Sequence, residues 1–442
     1  MNQLTISRRN FLAAASATAA AQTAENASRG KVRVGVVGLG GRGRTLLSTL
    51  LATDLASIRA VCDISAPAAA QALQIIAKSG SPKPEVYSAN EQSYKQLMHR
   101  DDLDAVVIAT PWGWHTPMAV EAMRAGKYAA VEVPAALSME ECWQLVNTFE
   151  ETRVPCMMLE NWSFRRDNLA VLNMIRKGLL GEILHCHCAH SHNCIDHWFF
   201  DQQGDARWPA KYLYEFNRDQ YPTHSLGPVL SWMNIGCGDY FDTVASTATR
   251  AAGVNNYFEK RFGPDHPLAR KPVRQGDIVT TIVKTIKGNT IVINYDMQLP
   301  RPYDNRWMIQ GTLGVYKEQS PDESSVIYLA GATDQWPSDQ GRDYEAWKPF
   351  APFQQQYDHS WWRQASSGDS SHNGTDYLEI LRFLEAVREK APTPIDVYDS
   401  VLFSVIVPLS GQSISAGSAP VKCPDFTRGK WKTRQPSFAL QS

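Results

Sequence analysis

The stretch "VRVGVVGLGGRG", residues 32–43, constrains this chain more than any other. Residues 32–37 alternate and are rich in valine, which predicts a buried strand. Gly38-Leu39-Gly40-Gly41-Arg42-Gly43 follows at once, and "RTLLSTLLA", 44–52, has helical spacing. Strand, glycine turn and helix in this order open a βαβ unit, and the rhythm continues. Strands are expected at 57–63, 104–111, 128–133 and 154–160, and helices at 66–80, 117–127 and 138–153. Ser138 and Glu141 have the spacing of a capping box, and Gly126 stands where a helix C-terminus is expected. Strand and helix alternating over this length predict an α/β fold with a doubly wound parallel sheet.

The glycines fit G-x-G-x-x-G in the context that gives the pattern meaning. They allow a tight turn and a close backbone approach to a pyrophosphate at the helix N-terminus. Asp63 ends the second strand twenty residues after Gly43. A carboxylate there accepts hydrogen bonds from ribose hydroxyls and repels a 2′-phosphate. No Arg or Lys follows it closely, so NAD is expected rather than NADP. The plainer account is a tight turn that holds no ligand. Ligands of such sheets bind beyond the carboxyl ends of the strands. Trp112, Gly113, Trp114 and His115 follow one strand, and Glu132 and Val133 end the next, so all are placed to touch a cofactor.

After residue 160 the rhythm changes. "DIVTTIVKTIKGNTIVINYDMQL", 277–299, reads as a hairpin turning near Gly288-Asn289, and helices are expected at 376–390 and near the C-terminus. Residues 330–375 are polar and read as long surface loops. The 442 residues are enough for two cores. The expected division is a leader and linker at 1–30, a Rossmann domain at 31–157 and an α+β domain with a mostly antiparallel sheet at 158–442. "SRRNFLAAASATAAA", 7–21, reads as a twin-arginine export signal cleaved near Ala21 or Ala24, which predicts use of that export machinery and a periplasmic protein. No apolar run reaches the roughly 18 residues of a membrane span. A net charge of −1 offers no electrostatic case for nucleic acid.

Eight cysteines in a chain this long do not suggest a disulfide framework, and Cys62 and Cys156 read as core. "HCHCAHSHNCIDH", 185–197, is dense in metal ligands. As one strand it would put Cys186, Cys188, His190, His192 and Cys194 on one face, where a pair needs ligands from elsewhere to hold zinc. A plain strand without metal is the expectation. His372 in "SHNGTDY" reads as part of a loop before a helix.

Together, the glycine loop, "TPWGWHTPMAVEAMRAGKYAAVEVPAALSMEE" and the second domain resemble the Gfo/Idh/MocA oxidoreductase family. Dehydrogenases of that family carry Glu-Lys-Pro where this chain has Glu132-Val133-Pro134, and valine cannot move a proton. "LENWSFRRD", "LNMIRKGLLGE", "YPTHSLGP", "QGDIVTT", "QLPRPY" and "DVYDSV" are similar to one branch, glycoside hydrolase family 109, from about residue 32 to the C-terminus. The resemblance implies α-N-acetylgalactosaminidase activity. It implies NAD contacts by Arg42, Gly43, Asp63, Trp112 to His115, Glu132, Val133 and Asn161. It implies a sugar site lined by Tyr221, Pro222, Thr223, His224 and Tyr303. Two positions depart from the pattern: His190 stands where a tyrosine is usual, and Trp208-Pro209 replaces Trp-Arg, with Lys211 nearby. Pairing of two copies through the open sheet is a further implication.

The implied chemistry is oxidation at C3 of the sugar by NAD, loss of the C2 proton, departure of the glycosidic oxygen, addition of water and return of the hydride. The cofactor ends as it began, so an exported enzyme needs no external pool. His224 is expected as the base, with Tyr221 and Tyr303 as partners. The competing readings are an NAD-dependent sugar dehydrogenase or isomerase of the same fold and a non-catalytic sugar- or dinucleotide-binding protein.

Overall fold

A computed structural model describes residues 30–319, 325–330, 347–364 and 371–440. The expected export signal with its cleavage site, and residues 331–346 and 365–370 of the expected loops at 330–375, lie outside the described residues. The described part of 330–375 is not all loop, since it includes short helices at Ala351–Gln356 and Ser360–Gln364.

Six parallel strands form the first sheet, in the order β3-β2-β1-β4-β5-β6. They are β1 (Val32–Val37), β2 (Ala56–Cys62), β3 (Glu85–Tyr87), β4 (Ala105–Ile108), β5 (Tyr128–Val131) and β6 (Cys156–Met158). The order reverses at β1, so the crevice beyond the ends of β1 and β4 is the topological switch point. Near-continuous valine and alanine suit strands covered on both faces, and β4 is buried throughout. Helices α1 (Gly41–Ala52), α2 (Ala66–Lys78), α3 (Ser93–Met98), α4 (His115–Arg124) and α5 (Met139–Thr152) supply the cover. Strand β3 and helix α3 carry too few apolar residues to stand out as periodic runs, and the sequence reading passed over both.

The capping box of α5 is present: the Ser138 hydroxyl accepts the Glu141 N–H at 3.1 Å, and Glu141 accepts the Ser138 N–H at 3.2 Å. Ser138→Ala is expected to cost about 1 kcal/mol, read as a lower denaturant midpoint at unchanged slope.

The second sheet contains β7 (Ile183–Ser191), β8 (Phe241–Ala248), β9 (Ile278–Thr285), β10 (Thr290–Asp296), β11 (Met308–Gly311), β12 (Gly314–Lys317), β13 (Val326–Leu329), β14 (Lys348–Pro349) and β15 (Val421–Lys422). Their order is β14-β13-β12-β11-β7-β10-β9-β8-β15. Its pairs are antiparallel except at the centre, where β10 (Thr290–Asp296) runs parallel to β7 (Ile183–Ser191). The expected hairpin is β9 (Ile278–Thr285) and β10, turning at Gly288 with φ +91°. In β7 the side chains of Cys186, Cys188 and His190 point into the fold. His185 and His187 lie on the open face, where they bond Thr290 Oγ1 at 2.9 Å and Asn294 Oδ1 at 2.8 Å. The strand ends at Ser191, so His192 and Cys194 do not continue its face.

Further helices are α6 (Arg166–Arg176), α7 (Pro222–Leu226), which packs on β7 and β10, and α8 (Thr375–Glu389), which packs on α1 and β1. The expected C-terminal helix is two, α9 (Val397–Ser404) and α10 (Ile406–Ser415). This run is long and apolar enough to cross a membrane, but 72% of its most apolar window is buried inside the fold. Its hydroxyls hold the first domain: Ser400 Oγ accepts the Met158 N–H at 2.9 Å and Ser404 Oγ the Ala135 N–H at 3.1 Å. A helix apolar all round is thereby explained by protein on all sides.

Candidate active site

The glycine turn is built for close approach. Gly38 has φ +86°, and a Cβ there would lie 2.5 Å from the Ala109 carbonyl oxygen. A Cβ on Gly43 would lie 1.9 Å from the Gly38 oxygen, so the α1 backbone packs directly on the turn. In front of Gly40 and Gly41 there is open space. The N-terminus of α1 has no side-chain cap and no acidic residue in its first turn, which leaves its N–H groups for an anion. Asp63 is held in place: Oδ2 accepts the Leu39 N–H at 2.6 Å and Oδ1 the Ser65 N–H at 2.7 Å. Each oxygen keeps a lone pair for a ribose hydroxyl. Asn161 Oδ1 is buried with no protein partner among the described residues. These features fit a dinucleotide lying across the switch point.

The strand ends complete the crevice. Glu132, at the end of β5, accepts from Arg42 Nε at 2.6 Å, and Val133 joins Pro134 through a cis peptide. The Arg42 side chain is thus spent on carboxylates, Glu132 and Asp376, and only its backbone N–H in the first turn of α1 faces an anion. Gly113 is exposed and Trp114 half-buried, while the Trp112 ring packs on Tyr212 at 5.0 Å and Tyr221 at 5.7 Å. His115 is different. Its two ring nitrogens lie 2.8 and 2.7 Å from the carbonyls of Pro134 and Thr110, and burial holds its pKa below the usual range. The neutral ring donates to one of these carbonyls and packs against the other, between the loops after β4 and β5.

Across this crevice the second domain presents a ring of aromatic and titratable side chains. Tyr221 precedes α7, and His224 lies one turn inside it. His190 is the penultimate residue of β7, and Tyr303 comes from the loop after β10. The His190 ring centroid is 5.0 Å from Tyr221, 5.3 Å from His224 and 5.5 Å from Tyr303. Pro222 and Thr223 are buried within α7. Burial keeps both tyrosines well above their ordinary pKa, so they are phenols that donate. Burial keeps His190 neutral, and its Nδ1 is buried without a partner among the described residues. Lys211 does not enter the pocket: it is exposed, with its ammonium 5.0 Å from the Tyr212 ring.

Two carboxylates passed over in the sequence reading organise this ring. Glu160, completely buried just beyond β6, has both oxygens 2.9 Å from His224 Nδ1. His224 Nε2 stands 3.5 Å from the Tyr221 hydroxyl. Burial pushes the Glu160 carboxyl well up and the His224 imidazole down to about 3, because neither charge is welcome there. Asp376, in the first turn of α8, takes Arg42 Nη1, Asn161 Nδ2 at 2.8 Å and His372 Nδ1 at 2.8 Å. His372 is therefore part of the site's frame as well as of its loop. Glu160 was findable by the strand-end rule that picked out Glu132. Nothing near Asp376 in sequence points to a partner 334 residues away.

Comparison with known proteins agrees with this geometry. Residues 32–160 match the oxidoreductase family with an NAD-binding Rossmann fold, and residues 164–433 match the C-terminal domain of glycosyl hydrolase 109. A glycosyl hydrolase family 109 protein of Shewanella pealeana is 40% identical over 410 residues, covering 92% of this chain and 87% of its own. An alpha-N-acetylgalactosaminidase of Tannerella forsythia is 37% identical over 433 residues, covering 93% and 90%. Among solved structures, levoglucosan dehydrogenase with NADH and L-sorbose shares the fold at a TM-score of 0.67 and 18% identity, over 90% of this chain and 100% of that one. The crevice, the aromatic ring and these matches agree: the chain belongs to glycosyl hydrolase family 109 and is a glycoside hydrolase built on an NAD-binding Rossmann domain.

Proposed function

We propose that this protein removes α-linked N-acetylgalactosamine, or a closely related sugar, with NAD that stays bound through each turnover. The observation that carries the reading is the Glu160–His224–Tyr221 relay facing the strand ends, in a chain with Val133 where the related dehydrogenases carry lysine. Bound NAD supplies a hydride acceptor and donor, and leaves no net redox change. Asp63, Glu132 and Asn161 are the side chains we assign to its cradle, with the backbone of the glycine turn, of Arg42 and of Trp112 to Trp114.

His224 Nε2 takes a proton from a sugar hydroxyl. The Nδ1 proton then passes to Glu160, whose burial favours the neutral acid. No buried ion pair has to persist. Tyr221 and Tyr303 donate to sugar oxygens, and the free His190 Nδ1 meets a hydroxyl where the resemblance leads one to expect a tyrosine. The twin-arginine leader supports export of the folded, NAD-loaded protein to the periplasm. Exposed Ile282 on the open face of the second sheet supports pairing of two copies there.

The test is to purify the protein without added cofactor and identify the ligand it releases. It is then given 4-nitrophenyl α-N-acetylgalactosaminide. Bound NAD, release of nitrophenol and no build-up of NADH are expected. Cofactor-free protein that steadily reduces added NAD with free sugars would return the chain to the dehydrogenases.

A further inference from the structure

We propose that His192, Cys194 and His197 bind a zinc ion beside the sugar pocket. The chain leaves β7 at Ser191 and stays tethered to the end of β10: the His192 N–H donates to Asp296 O at 2.8 Å and the Cys194 N–H to Met297 O at 3.0 Å. The chain then coils through Ile195–Phe199 and carries His197 back over them. The ligand atoms of the three residues all lie within 4.8 Å of one another. In a tetrahedral zinc site with bonds of about 2.0–2.3 Å, such atoms stand roughly 3.3–3.7 Å apart. The His197 side chain is half exposed, which leaves it room to adjust.

The donors are free for this. The Cys194 thiol is buried and, among the described residues, makes no hydrogen bond; nor does the His192 ring. His197 Nδ1 lies 3.4 Å from Asp196 Oδ1, which leaves Nε2 for a metal. A ligand histidine oriented by a carboxylate is a recurrent feature of zinc sites. One thiolate and two imidazoles suit zinc, while magnesium and calcium take oxygen donors. Water would fill the fourth position. The His192 ring stands edge-on to Tyr303 at 5.1 Å, so the ion would brace the wall of the pocket without touching the Glu160–His224 relay.

Cobalt reports on this site directly. Tag-free protein stripped with a chelator and titrated with cobalt(II) is expected to bind about one ion per chain and develop a near-ultraviolet thiolate-to-cobalt band. Zinc should bleach that band. Cys194→Ala should abolish it, and His197→Ala, a change to an exposed side chain, should weaken binding in folded protein. Asp196→Asn should lower affinity about 10–100-fold. No band in the folded parent protein overturns the proposal. So does a band that survives Cys194→Ala, or an affinity that His197→Ala leaves unchanged.

Discussion

Glu160→Gln is expected to lower kcat/KM about 10²–10⁴-fold while the protein stays folded and retains its cofactor. Gln keeps the shape but cannot take a proton. Its amide also donates to His224 Nδ1, which places the ring hydrogen on Nε2, the atom that must accept. A change of that size is about 3–5.5 kcal/mol of transition-state stabilisation. The pH profile gives a second readout. Glu160 must be ionised to receive the relayed proton, and burial raises its pKa. Activity of the parent protein is therefore lost as pH falls through a value above the ordinary glutamate range of about 4.3. In Glu160→Gln the residual activity lacks that acid limb. Near-normal activity in the variant, or an unchanged limb, would remove Glu160 from the chemistry.

The largest stability effect is expected at Asp376→Ala. The carboxylate is fully buried and takes Arg42, Asn161 and His372 together. Breaking a buried charge pair by removing one partner costs about 3–5 kcal/mol, because the remaining charge is left short of compensation. Equilibrium unfolding in denaturant measures it, and less NAD should co-purify because Asn161 loses its anchor. The pH dependence has a definite sign. Burial alone would raise the Asp376 carboxyl, but the His372 hydrogen bond and the Arg42 guanidinium outweigh it and hold it well below the usual range. Its stabilisation is full above the ordinary value of about 3.9 and is lost as pH falls below that. The gap between parent and variant should therefore begin to close only under acid conditions. A gap under 1 kcal/mol at neutral pH would mean that solvent already screens Arg42.

Much of the first domain is legible without coordinates. Valine runs, Gly38 with Gly43, and the Ser138–Glu141 pair are local signals, each acting within a few residues. They determined the parallel sheet, the glycine turn and the position of Asp63. Tyr221 and His224 were marked by the resemblance of "YPTHSLGP" to its family and not by any local periodicity. Short elements such as Glu85–Tyr87 carry too few apolar positions to register. The run at 185–197 misled for a different reason. Period-two spacing cannot say where a strand stops, and pairing with β10 ends it at Ser191.

What the sequence determined by itself is therefore the class of fold, the expected dinucleotide and the residue types that face it. What only the tertiary structure decided is which of those groups work together. Glu160 reaches His224 across 64 positions, and Asp376 reaches Arg42 across 334. The His115 ring lies against the carbonyls of Pro134 and Thr110, in two loops that the sequence alone does not bring together. A propensity or a spacing is a property of neighbours along the chain. A buried carboxylate takes its meaning from whichever donor the fold delivers to it, and that contact leaves no local trace.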